Sequence, residues 1–226
     1  PDLNAPGVGK LLIYSEDGDT NDPDDSAFGG MFEFDFTGFG DSGLTVESLV
    51  VVDTEEGGTI ELFDDAGNQI GFVTLPDIDD GVGDNVARTV RVNVDGVSKM
   101  KVSLTGSGAI NDIKLCLPFL PSSAPTVAPT IAPTAVPTVS PSSFPTGIPT
   151  SSPTPQPTLS PTYAPTESIV CQTTPSLIDF EDFESGDLIS SLNVNGVDVP
   201  VTTTPIANRA MIFDTSIVPA TGEDHD

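Results

Sequence analysis

The sequence predicts an all-β protein: an antiparallel β-sandwich of jelly-roll type joined to an extended polyproline-II linker. Three observations carry this expectation. Short runs alternate apolar and polar residues with the period of two that a half-buried strand requires. Turn signals rich in Gly, Asp and Asn separate those runs, and a proline recurs at every fourth position through the middle of the chain. No long segment carries a helical period.

Residues 1–118 read as consecutive strands. In MFEFDF the side chains of Phe32, Phe34 and Phe36 fall on one face and those of Glu33 and Asp35 on the other. TIELF, RTVRVNV, KMKVSL and AINDIKLCL repeat the pattern, while DDAGN (64–68) and VDGVS (94–98) read as turns between them. The spacing is that of a sandwich, and residues 1–118 are assigned to the C-terminal portion of one.

Residues 119–167 are a linker. Prolines stand at Pro121, Pro125, Pro129, Pro133, Pro137, Pro141, Pro145, Pro149, Pro153, Pro157, Pro161 and Pro165, each followed by Thr or Ser. Every proline fixes its own φ and pushes the residue before it toward extended geometry, so the tract is expected to be a semi-rigid rod without a core. At about 3.1 Å per residue it reaches on the order of 140 Å. A four-residue repeat on a three-residue helix turns by about a third of a revolution per repeat, which brings the hydroxyls to every face. Ser122, Thr126, Thr130, Thr134, Thr138, Ser142, Thr146, Thr150, Thr154, Thr158, Thr162 and Thr166 are the O-glycosylation candidates. The prolines from Pro125 to Pro165 join them if hydroxylated.

Residues 168–226 carry further strands in LIDFED, GVDVPVT and NRAMIFDT. Their apolar residues are too few for a second core, because so small a sheet cannot cover both of its own faces. The segment is therefore expected to be the N-terminal portion of a sandwich that residues 1–118 of a following repeat or subunit complete. Doubling back onto its own residues 1–118 would require a stiff rod to bend through its full length.

Written end to beginning, RAMIFDTSIVPATGEDHD runs into PDLNAPGVGKLLIYSEDGDTNDPDD. In that order the chain resembles a repeated extracellular β-domain of secreted bacterial and algal proteins, here circularly permuted. The resemblance rests on IDFED, AMIFD, SEDGDTNDPDD, EEGGTIELFDDAGNQIG and GAINDIKL, and covers residues 174–226 and 1–118. The linker is similar to the Pro/Thr-rich tracts of algal cell-surface proteins. First and last strands are commonly neighbours in such sandwiches, which places Cys171, before the opening strand, near Cys116, in the closing one. A disulfide there would close a very long loop and contribute on the order of 4–5 kcal/mol; two unpaired thiols are the alternative.

The chain carries 34 acidic against 7 basic side chains, a formal charge of −27 over 226 residues. That excludes a phosphate-binding face, which needs clustered Lys and Arg, and so excludes nucleic acid as a partner. It favours cations. The stretch SEDGDTNDPDD gathers Glu16, Asp17, Asp19, Asp22, Asp24 and Asp25 around Gly18. Hard oxygen ligands on a turning backbone suit Ca²⁺, which takes about six to eight of them. The spacing is not that of an EF-hand, and a solvated or internally hydrogen-bonded turn is the competing reading. A second candidate pairs Asp179 or Glu181 with Asp112, joined by Asp214, and resembles the structural calcium site of jelly-roll carbohydrate-binding modules. The acidic loop DIDDGVGDN (77–85) reads as surface.

Catalysis finds little support. The single histidine, His225, sits in the acidic stretch GEDHD with no second histidine to build a metal cage, and there is no Gly-rich phosphate loop and no G-x-S-x-G. No run of apolar residues is long enough for a membrane-spanning helix. The expected function is structural: a subunit of an extracellular fibre or cell-surface filament, with beads fixed by disulfide and Ca²⁺, rods carrying covalent glycans, and further copies of the chain as partners. The alternative is a carbohydrate-binding or adhesive module on a glycosylated stalk. The absence of Trp, with only Tyr14 and Tyr163 as tyrosines, weighs against the sugar-binding form.

Overall fold

The computed structural model describes residues 8–21, 23–54, 56–75, 86–117, 175–205 and 209–216. The linker with all its glycosylation candidates, Cys171, His225, Asp22 and the whole loop at 77–85 lie outside the described residues. The strands are β1 (Lys10–Tyr14), β2 (Gly30–Asp35), β3 (Leu44–Val52), β4 (Gly58–Phe63), β5 (Gln69–Leu75), β6 (Ala87–Val97), β7 (Lys99–Leu104), β8 (Ala109–Cys116), β9 (Ser176–Ile178), β10 (Ser191–Val194), β11 (Val197–Thr204) and β12 (Ala210–Asp214). A single 3-10 turn at Thr37–Phe39 is the sole helical element among the described residues.

All pairings are antiparallel and build two six-stranded sheets. One runs β12-β1-β8-β3-β6, with β9 also on β8; the other runs β10-β11-β2-β7-β4-β5. Their inner faces share one core, in which Leu12, Leu49, Ile110 and Ile113 of the first sheet meet Phe34, Ile60, Val102 and Val199 of the second. The fold is thus a two-sheet β-sandwich. Residues 1–119 and 171–226 together form one compact unit.

The alternating run MFEFDF forms β2 as its pattern requires: Phe32, Phe34 and Phe36 are fully buried, with Phe34 and Phe36 stacked at 6.4 Å between ring centroids. The outward Glu33 bridges Lys99 at 2.9 Å and Lys101 at 3.3 Å on the neighbouring β7. In β1 both faces are buried, as the unbroken run LLIY implies. Leu12 and Tyr14 enter the main core, whereas Leu11 and Ile13 pack with Val52, Ala109 and Met211 in a smaller cluster.

Two local expectations change. VDGVS does not turn at residues 94–97; β6 continues through them because Val46↔Val94 and Leu44↔Val97 keep the ladder with β3 alive across a bulge. The chain changes sheet at the buried Ser98, whose N–H donates to Phe63 O while its carbonyl accepts from Phe36 N. LIDFED supplies only two strand residues, Leu177 and Ile178 of the three-residue β9, after which the chain turns with Phe180 buried in the core and Phe183 N bonded to Phe180 O at 3.2 Å.

The strands of 175–214 lie along one lateral side of both sheets. β12 pairs with β1 from Lys10↔Asp214 to Tyr14↔Ala210, β9 pairs with β8, and β11 pairs with β2 from Val201↔Phe34 to Thr204↔Met31. In this single copy of the chain both partners come from the same molecule. Tyr14 adds a side-chain tie between the segments, its hydroxyl donating to Pro205 O at 2.9 Å.

Candidate cation sites

The acidic loop after β1 is organised by its own side chains. Gly18 N donates to Ser15 Oγ at 2.9 Å, Asp19 N to Asp17 Oδ1 at 2.7 Å, and Asn21 N and Nδ2 to Asp19 Oδ1 at 2.9 and 3.1 Å. These are Asx-type turns, in which a carboxylate satisfies backbone donors that a tight loop would otherwise leave unpaired. The bonds from Asn21, backbone first and then side chain, hold the Asp19 carboxyl below its ordinary value. Glu16, Asp17 and Asp19 are exposed, Asp24 is half-buried, and Asp22 lies outside the described residues. Among the described residues no three His, Cys, Asp or Glu side chains are grouped so as to hold a metal.

Asp25 behaves differently from its neighbours in sequence. It bridges to Ser15 in a short antiparallel contact and is 1% exposed. Its Oδ2 accepts from Gly108 N at 2.9 Å and lies 2.7 Å from Ser107 Oγ; that same hydroxyl lies 3.0 Å from Oδ2 of Asp53. Burial pushes the Asp25 carboxyl above its ordinary value, against the bonds from Ser107 and Gly108, and the charge of Asp53 pushes the same way. Asp53 is nearly buried at the end of β3 with φ +56°. Gly108 is at φ +151°, and a Cβ there would stand 2.9 Å from Asp53 O and 3.3 Å from Val52 O. Glycine is what lets this backbone approach closely enough to serve Asp25.

The second candidate assembles from both chain segments. Asp112 of β8 is half-buried, and its carboxyl is raised first by burial and then by the charges of Asp179 and Glu181. The charges of Asp179 and Glu181 therefore reach Asp112, although among the described residues the three do not form a group that could hold a metal ion. The carboxylate of Asp214 accepts from Ser216 N at 2.8 Å and Ser216 Oγ at 2.6 Å, and those bonds, the side-chain one foremost, hold it below its ordinary value. Sequence reasoning missed Lys10. Its N–H donates to Glu181 Oε1 at 3.0 Å, and its ammonium donates to the carbonyls of Glu181, at 2.9 Å, and Phe183. The signal was a basic residue opening a strand in a chain with only 7 of them.

Cys116 is disulfide-bonded and no described cysteine is free; Glu47 Oε1 lies 3.1 Å from its sulfur. No protein-family model matches the chain, and no curated protein or solved structure is significantly similar to it.

Proposed function

We propose that the chain is a structural subunit of an extracellular fibre or cell-surface filament, built of jelly-roll-type sandwich beads joined by O-glycosylated proline rods. In this reading residues 8–117 of one unit receive 175–216 of a neighbouring unit, whether that neighbour is the next repeat of a longer polypeptide or a separate subunit. The jelly-roll assignment is supported by the way successive strands change sheet, with β1, β3, β6 and β8 in one and β2, β4, β5 and β7 in the other.

The observation that carries the reading is the register Leu115↔Ser176. The end of β8 and the start of β9 are side by side, although the whole proline tract separates them in sequence. Two or three residues would suffice to join such a pair. A rod reaching on the order of 140 Å that left and re-entered one bead at a single point would have to fold back on itself, whereas between beads it runs straight. The disulfide of Cys116 and Ca²⁺ at the Asp112, Asp179 and Glu181 group would then lock each donated segment in place, and glycans would solvate the rods.

The test is electrophoresis of the native assembly without reductant, combined with negative-stain imaging. Beaded filaments support the reading: a ladder that collapses to single chains on reduction assigns the exchange to separate subunits, and a ladder that resists reduction assigns it to covalent repeats. Isolated single-chain sandwiches with their disulfide closed internally overturn it. The adhesive reading draws on Phe28, which is 86% exposed beside the acidic loop, an aromatic face open to a sugar ring; binding on a glycan array that Phe28→Ala removes would favour it.

A further inference from the structure

We propose that Asp25, Ser107 and Asp53 form a site for a divalent cation of the Ca²⁺ type, tying the loop after β1 to the end of β3 and to the turn before β8. The inference stands independently of the filament reading, and the site differs in composition from both cation sites expected from sequence.

An unmet buried oxygen leads to it. Ser107 Oγ lies 2.7 Å from Oδ2 of Asp25 and 3.0 Å from Oδ2 of Asp53, which brings the two carboxylates to one hydroxyl. Gly108 N serves the same Oδ2 of Asp25. The other oxygen, Asp25 Oδ1, is buried and has no hydrogen-bond partner among the described residues, in a residue 1% exposed. Such an oxygen is costly in a packed interior unless a cation or a donor meets it. No ion pair of Lys, Arg or His reaches Asp25 among the described residues, where the pairs are Lys99 and Lys101 with Glu33 and Lys114 with Glu47.

The donors present are carboxylate and hydroxyl oxygens. That is a hard, oxygen-only set. Ca²⁺ accepts irregular angles and fills its remaining positions with water, whereas Mg²⁺ demands a regular octahedron. A cation here would satisfy Asp25 Oδ1 and offset the repulsion between the two aspartates.

The experiment uses the full chain stripped with chelator, in an Asp112→Asn background that removes the other candidate group, with CaCl₂ as the only addition. At pH 7, Ca²⁺ at about a hundred times its dissociation constant should raise Tm by about 5–10 °C. Adding Asp53→Asn should abolish that shift; Asn tolerates the left-handed backbone at φ +56°, so the variant keeps the fold. Ser107→Ala, which leaves both carboxylates in place, should weaken calorimetric Ca²⁺ binding by about tenfold or less. Absence of a Ca²⁺ shift in the Asp112→Asn chain overturns the proposal, as does an undiminished shift after Asp53→Asn.

Discussion

Leu115 of β8 stands opposite Ser176 of β9, although residues 116–175 lie between them in the sequence. The same side of the sandwich is completed by Ile212, fully buried opposite Leu12, and by Val201 opposite Phe34. Ile212→Ala is expected to destabilise the sandwich by about 2–4 kcal/mol, because it empties a packed site in the core. Urea unfolding reads the loss.

Tyr14→Phe probes the polar tie between the two segments. It removes the hydroxyl that donates to Pro205 O but keeps the ring against Phe32, edge-on at 6.0 Å. The expected cost is about 1 kcal/mol. Tyr14→Leu should cost more, since it removes the aromatic contact as well; thermal melting of the pair separates the two contributions.

The fork of Glu33 with Lys99 and Lys101 sets a pH window. Partial burial pushes the Glu33 carboxyl up, but hydrogen bonds from Lys99 and Lys101 outweigh it and hold the group below its ordinary 4.5. A depressed carboxyl contributes stability that is fully present above pH 4.5 and is lost as pH falls through the folded value. The Lys99 ammonium is raised above 10.5, chiefly by its bond to Glu33, so the contribution is also lost as pH climbs past the folded value of Lys99. Glu33→Gln should cost about 0.5–1 kcal/mol at pH 7 in low salt and much less near pH 3, measured as the difference in denaturation midpoints.

Gly108→Ala should be more damaging than its size suggests. The added methyl meets Asp53 O at 2.9 Å on a backbone held at φ +151°, and relief of that contact draws Gly108 N away from Asp25. About 1–3 kcal/mol is expected, visible as faster hydrogen exchange at Gly108 than in the parent chain.

Asp112→Asn should raise Tm in chelator, since it deletes a half-buried charge facing Asp179 and Glu181, and should reduce any rise caused by Ca²⁺. A lower Tm in chelator would mean that the carboxylate is needed by Lys10 or the β8 ladder instead.

Much of the fold is written in residue alternation. Phe32, Phe34 and Phe36 declare their face because the pleat has a period of two, and the LLIY run declares a strand buried on both sides. VDGVS misleads because Asp and Gly mark a turn locally, while the pairing of Val94 and Val97 with β3, a tertiary contact, holds those residues in the strand. The acidic loop was legible as a cluster, but its division of labour was not. Asp17, Asp19 and Asp25 are equivalent as letters; only the approach of Ser107 and Gly108 from the turn before β8 turns Asp25 inward, and Asp53 joins it from the end of a strand distant in sequence. The charges of Asp179 and Glu181 reach Asp112 because the opening and closing strands β9 and β8 lie side by side, while the bonds of Asp214 to Ser216 are a local turn that its letter alone does not announce.

The antiparallel register of β8 and β9 has a mechanical corollary. The ends of β8 and β9 that lead toward the linker, at Cys116 and Ser176, lie at the same end of the same strand pair. Load drawn along two such tethers would open that ladder like a zipper, one hydrogen bond at a time, rather than shearing all of them at once. The covalent link at Cys116 sits at the mouth of the zipper. Single-molecule stretching should therefore show reductant turning a bead that resists high force into one that yields at low force.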